Sequence, residues 1–186
     1  MVDKQKKNKY MQDVRIFSHV DFDDFCEKNN FTDSNIEEMD EIAIISIIGT
    51  PEVLEYYLQE PHTEHWFKNN HDNVLNLEFD DVSEDRVFEY KNGLDEITKI
   101  HAFTITDEQA KQIVDFIEKN IGKTFLIHCK AGFSRSPAVG RFIIDYYEEY
   151  NKCKGREYVD RVRPNVEVVS KLKKMWREKH NYGKIW

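Results

Sequence analysis

The stretch Thr124-Phe125-Leu126-Ile127-His128-Cys129-Lys130-Ala131-Gly132-Phe133-Ser134-Arg135-Ser136 decides how this chain is read. Its opening, Thr124 to Ile127, reads as a buried strand, and the cysteine loop follows directly. A helix is expected from about Arg135, with Val139, Phe142, Ile143, Tyr146, Tyr147 and Tyr150 tracing one face. Five residues separate Cys129 from Arg135. Among them Gly132 lets the backbone turn tightly without a Cβ clash. A strand end, a short loop and a helix N-terminus can turn successive backbone N–H groups inward as an anion-binding nest.

The side chains around that nest suit phosphate-ester hydrolysis. Arg135 and the helix N-terminus favour a thiolate, so Cys129 is expected to titrate below the free-thiol value of about 8.5. The planar guanidinium of Arg135 can hold two phosphoryl oxygens at once, where a lysine supplies only a point charge. A hydroxyl at Ser136 can donate toward the sulfur and make it a better leaving group. His128 is placed to order the loop from behind, or to sit as a neutral core histidine.

Working outward, strands alternate with helices. Val14 to Phe17 reads as a first short strand. Ile42 to Ile48 is nearly all apolar and is closed by Gly49-Thr50-Pro51, the pattern of a strand buried on both faces. Val74 to Phe79 is a further strand, followed by the acidic pair Asp80-Asp81. Residues 83–104 show no clear period and read as a long loop or insertion. Thr106 to Gln109 fits a capping box ahead of a helix carrying Ala110, Ile113, Val114 and Ile117. A short helix near Arg156 to Val162 is closed by Pro164, and a last helix carries Val168, Val169, Leu172, Met175 and Trp176. The expected fold class is therefore α/β, a central, mostly parallel β-sheet flanked by helices. Residues 1–9 read as a flexible tail and residues 10–186 as a single domain.

Composition narrows the function class. The net charge of −8 argues against a nucleic-acid partner. It is unevenly spread: residues 151–186 hold eleven Lys/Arg against four Asp/Glu, a surplus of seven positive charges. Cys26, Cys129 and Cys153 are an odd, widely spaced set that makes no disulfide framework. No apolar run has the length of a membrane span, and the lysine-rich start is followed by no signal segment. The expectation is a cytoplasmic protein with no membrane partner.

The segment from Cys129 to Pro137 resembles the signature loop of the cysteine-dependent protein tyrosine phosphatase superfamily, most closely its dual-specificity branch. That resemblance implies Cys129 as nucleophile, Arg135 as phosphate-binding residue and Ser136 as the hydroxyl that assists phosphoenzyme breakdown. It implies a cradle made of Lys130, Ala131, Gly132, Phe133, Ser134 and Arg135. It also implies a general acid, an aspartate after an upstream strand. Asp81 fits that register and Asp80 is its alternative. Asp81 lies 48 positions before Cys129, a longer interval than compact members of the branch have. The implied substrate is a phosphorylated protein or peptide, without cofactor or metal. An RNA 5′-phosphate, a phosphoinositide and a low-turnover phosphate-binding role remain as alternatives. The Cys-Lys-Ala-Gly opening also occurs in a phosphoinositide phosphatase branch, but Phe133 stands where that branch has a second lysine. His62, Glu64, His65 and His71 lack a recognised metal-ligand spacing and read as surface residues. The preference between phosphotyrosine and phosphoserine or phosphothreonine, and the oligomeric state, are left open.

Overall fold

A computed structural model describes residues 13–53, 64–91 and 96–180; the N-terminal tail expected at residues 1–9 lies outside them. Four parallel strands form the central sheet: β1 (Val14–Phe17), β2 (Ile42–Ile48), β3 (Val74–Glu78) and β6 (Thr124–His128), in spatial order β1-β6-β2-β3. The expected parallel α/β architecture is the one observed. Strands β4 (Arg86–Lys91) and β5 (Ile97–Ala102) pair antiparallel as a separate two-stranded unit.

Side-chain alternation sorts the sheet into two faces. Ala43, Ile45, Ile47, Phe125 and Ile127 join the larger core with helices α2 (Asp107–Lys119), α3 (Arg135–Tyr146) and α5 (Val166–Lys179). Ile42, Ile44 and Leu126 face the other way, against Phe22 and Cys26 of α1 (His19–Lys28) and against Phe31, Ile36 and Phe67. All seven residues of β2 are buried because both faces are covered. Each isoleucine so buried contributes about 1.5–3 kcal/mol relative to exposure. Ser46 and His128 fall on the α1 face by the same alternation, in register with each other.

Residues 83–104 are not a structureless loop. They contain the β4–β5 hairpin, whose strands bury little: Arg86, Val87, Glu89 and Lys91 are exposed. Only Ile100 and Ala102, on one face of β5, are buried; β4 buries no residue, so the hydrophobic alternation that marks a strand is weak across the pair. The helix after Cys129 also ends sooner than its apolar face suggests. α3 stops at Tyr146, Tyr147 is extended, and Tyr150 lies on a separate short turn, Glu148–Tyr150. Both tyrosines still pack on the core, which is why the periodicity runs on. A short helix α4 (Gly155–Arg161) follows, and its first residue abuts β1 so closely that a Cβ on Gly155 would meet Val14 O at 1.8 Å.

Parallel register brings four strand ends to one edge. Phe17 and Ser46 lie beside His128, and Ile48 beside Glu78. The loops leaving that edge are the α1 start, Thr50, Asp80-Asp81 and the Cys129 loop. This is where open α/β sheets bind ligands.

Candidate active site

Cys129 leaves β6 at the sheet edge and is 2 % exposed. Three carbonyls of its loop point outward, each onto a donor from a different part of the chain. Lys130 O accepts from His19 N at 3.0 Å, and Ser134 O from Asn165 N at 3.1 Å. Gly132 O accepts from the Tyr158 hydroxyl at 3.0 Å. The backbone N–H groups of Gly132 and Ser136 are directed to the Cys129 sulfur. Gly132 adopts φ +71°, and a Cβ there would meet the Phe17–Ser18 backbone at 3.0 Å, so glycine is required twice over.

Burial alone pushes the Cys129 thiol up. The Arg135 guanidinium, the Ser136 hydroxyl and the backbone N–H groups of Ser136 and Gly132 outweigh it, and its pKa falls below the ordinary value. The Ser136 hydroxyl donates to Sγ at 3.1 Å from a fully buried position.

Arg135, the first residue of α3, is 5 % exposed. Its Nη1 donates to Phe79 O at 2.6 Å, tying the Cys129 loop to the end of β3. Among the described residues its buried Nε has no hydrogen-bond partner. A buried guanidinium with an unsatisfied donor is costly unless an anion meets it. Such a group fits a bound oxyanion better than a purely structural tie.

The two candidate aspartates separate cleanly. Asp80 is 2 % exposed and accepts from Thr50 N at 2.9 Å, from Thr50 Oγ1 at 2.8 Å and from Phe103 N at 2.9 Å. Both its oxygens are occupied, and it staples the end of β3 to the β2 loop and to the base of the hairpin. Asp81 is exposed, and its Oδ1 accepts from Ser134 Oγ at 2.7 Å and from Asn165 Nδ2 at 2.9 Å. Among the described residues its Oδ2 carries no bond. Asp81 is thus bonded to the cradle loop through Ser134, and Asp80 to Thr50 and Phe103.

On the rim, Ala131 is exposed, Phe133 is 62 % exposed and Lys130 is half-buried. Burial and the Arg135 charge lower the Lys130 pKa. Behind the loop, His128 Nε2 lies 2.6 Å from Ser46 Oγ, which lies 2.6 Å from His65 Nδ1. One hydroxyl proton cannot serve both rings, so one ring donates to Ser46 and the other accepts from it. Burial, then the neighbouring His19, His65 and Arg135 charges, holds His128 well below the ordinary histidine range. His128 is therefore a neutral group stacked on Phe22 at 4.2 Å. His71 bonds Asp33 and Glu37, and His62 lies outside the described residues.

Asn165 and Tyr158 were not singled out by the sequence reading. Asn165 carries a legible signal: it follows Pro164 and precedes an apolar-periodic helix, as an N-cap should. Its Oδ1 indeed caps α5 by accepting from Glu167 N and Val168 N. That its Nδ2 reaches Asp81 has no sequence signal. Tyr158 has none either, since its partner is a backbone carbonyl 26 residues away.

No family model matches the chain, and no curated protein matches it. Among solved structures, it is similar to the human tyrosine phosphatase-like serine/threonine/tyrosine-interacting protein. The identity is 17%, over 81% of this chain and 86% of that one, with a TM-score of 0.38. A likeness this loose transfers no residue roles, which rest on the geometry above.

Proposed function

We propose that this chain is a phosphomonoester hydrolase of the protein tyrosine or dual-specificity phosphatase kind, working through a phosphocysteine intermediate. The observation that carries the reading is the convergence on Cys129. A buried sulfur with a lowered pKa receives the Ser136 hydroxyl and two backbone N–H groups, beside a guanidinium with an unsatisfied donor.

In the first step the Cys129 thiolate attacks phosphorus in line. An S–P bond forms, the P–O bond to the leaving group breaks, and Asp81 delivers a proton to the departing oxygen. Oδ2 of Asp81 is the oxygen open to carry that proton, since Oδ1 is held by Ser134 and Asn165. The loop amides and Arg135 bind the equatorial oxygens, where charge is spread in the transition state. In the second step Asp81, now ionised, takes a proton from water. The water oxygen bonds to phosphorus, and the sulfur leaves as a thiolate stabilised by Ser136. The exposed ring of Phe133 on the rim suits an aromatic phosphoester.

The test is phosphate release from p-nitrophenyl phosphate and a phosphotyrosine peptide, in EDTA and reductant, comparing the intact chain with Cys129→Ser. Turnover that is blocked by vanadate and abolished in the variant is the expected result. A reduced, intact protein that binds phosphotyrosine peptide without releasing phosphate is a binding module instead.

A further inference from the structure

Among the described residues, the outer edge of the β4–β5 hairpin along β4 pairs with no strand. In an antiparallel pair, residues that bond across the ladder alternate with residues whose N–H and C=O point away from it. His101 fixes the phase: its N–H leaves the ladder and donates to Glu52 Oε2 at 3.2 Å. His101 stands opposite Val87, so Val87, and with it Glu89 and Lys91, turns its N–H and C=O to the outer edge of β4. Among the described residues these groups have no hydrogen-bond partner. Donors and acceptors are thus set out at two-residue spacing, the repeat of an extended chain.

The edge starts at the candidate active site. Arg86, the first residue of β4, lines a cleft of about 380 Å³ together with Asp81 and Ser134, which bond each other at the lip of the cradle. No other β4 residue lines that cleft, so the strand leaves it there and runs on for six residues, about 20 Å. Two anchors hold the hairpin in this place: Phe103 N donates to Asp80 and Thr104 N to Asp85. One face is seated by the buried Ile100 and Ala102, so the free edge is presented on a fixed base.

Resting on the phosphatase reading, we propose that β4 takes its substrate by strand addition. The segment on the N-terminal side of the phosphorylated residue pairs antiparallel with Val87, Glu89 and Lys91, as a third strand of the hairpin. The direction follows from the layout. A chain that approaches the cradle along β4 on its N-terminal flank runs opposite to β4, and antiparallel pairing is the more stable kind. Main-chain bonds supply the affinity, and the 53 %-exposed Val87 favours an apolar side chain beside it. With the phosphate already in the cradle, pairing is an intramolecular event and needs no large interface. A second copy of this chain is the poorer occupant. Arg86, Glu89 and Lys91 set exposed charges along the edge, the device by which natural sheets resist pairing with one another, and a second copy brings no phosphate anchor to offset them.

The experiment compares phosphotyrosine peptides carrying about eight neutral residues on the N-terminal side, on the C-terminal side, or on neither, a length that spans β4 and reaches the cradle. kcat/KM is measured with the intact protein and Kd with Cys129→Ser. The N-terminal extension should improve both by about tenfold over the other two peptides, the scale of one or two net hydrogen bonds. Single N-methylation along that extension removes one donor at a time. It should cancel most of the gain at every second position of the paired stretch and leave the positions between them unaffected. Glu89→Pro removes an outward donor that the β4–β5 ladder does not use, a substitution that edge strands tolerate. It should bring the ratio of the N-extended to the unextended peptide close to one. Equal values for the three peptides, a gain from the C-terminal extension instead, or methylation effects without a two-residue period overturn the proposal, whether or not the proline variant folds. A dimer seen by sedimentation that Glu89→Pro breaks, with peptide discrimination unchanged, overturns it in favour of a second copy. Should p-nitrophenyl phosphate not be hydrolysed at all, the phosphocysteine reading fails on its own, and the Kd ratios still decide the strand pairing.

Discussion

Asn165 Nδ2 donates to Asp81 Oδ1 at 2.9 Å, while Oδ1 of the same asparagine caps α5. One buried side chain thus fixes both the start of the last helix and the carboxyl proposed as the general acid. The two jobs can be separated. Asn165→Asp keeps the capping oxygen but replaces the donor with a like charge; Asn165→Ala loses both. Loss of the cap should cost about 1 kcal/mol in Asn165→Ala and little in Asn165→Asp, read from urea midpoints. Both should lower kcat by about tenfold, the cost of one charge-assisted bond. In Asn165→Asp a carboxylate faces Asp81 in place of an amide donor, so kcat should fall while the urea midpoint stays near the parent's; a purely structural role would move the two together.

Asp80 and Asp81 are neighbours with different tasks, and their amide variants should part company. Asp81→Asn should lower kcat by about 10²–10⁴ with an aryl phosphate, the range for loss of a general acid, and leave the melting temperature near the parent's. Asp80→Asn loses carboxylate bonds to Thr50 and Phe103, so it should destabilise the fold by about 1–3 kcal/mol. If Asp80→Asn is the variant that removes the alkaline limb, the acid has been misassigned.

The lowered pKa of Cys129 has a direct chemical readout. The rate of alkylation by iodoacetamide should rise with pH through a midpoint below the free-thiol value of about 8.5. Ser136→Ala removes a donor to the thiolate and should move the midpoint upward. Cys26, which burial pushes far above the thiol range, should not react until the protein unfolds. A Cys129 midpoint at or above the free-thiol value would contradict the electrostatics described here.

A pH-dependent stability term sits far from the cradle. His71 Nε2 lies 2.8 Å from Asp33 and Nδ1 3.2 Å from Glu37, and the Asp33 bond leads in raising its pKa. A histidine whose folded pKa is raised stabilises fully below its unfolded value, about 6.5, and loses that contribution as pH climbs through the folded value. The gap in urea midpoint between the parent and His71→Gln should therefore be wider at about pH 5.5 than at about pH 8.5. A gap that widens with pH would reverse the sign assigned to this pair.

The parts of the fold that bury a regular pattern were legible in the chain. Ile42 to Ile48 and Thr124 to Ile127 announce themselves because both faces of the sheet are covered, and the capping box at Thr106 is local chemistry. The loop from Cys129 to Ser136 was equally readable, since nucleophile, glycine, arginine and hydroxyl stand within eight residues. The β4–β5 hairpin was not, because Arg86–Lys91 buries no residue and its partner strand buries only Ile100 and Ala102, too little to mark a period. Helix α1 drew no expectation, although Phe22 and Cys26 carry its whole buried face. The supports of the cradle escaped for another reason. Asn165, Tyr158 and His19 act across 31, 26 and 111 residues, through contacts that only the folded chain creates.

Those three supports give the cradle a thermodynamic character of its own. Its carbonyls are anchored to α1, α4 and the start of α5, so the loop keeps its shape only while three separately stabilised parts of the periphery remain docked. Sub-global opening of any one of them costs less than unfolding the sheet. With the phosphate-binding role proposed above, phosphate affinity should be a more sensitive gauge of integrity than circular dichroism: on titration with denaturant, anion release is expected before the strands unpair.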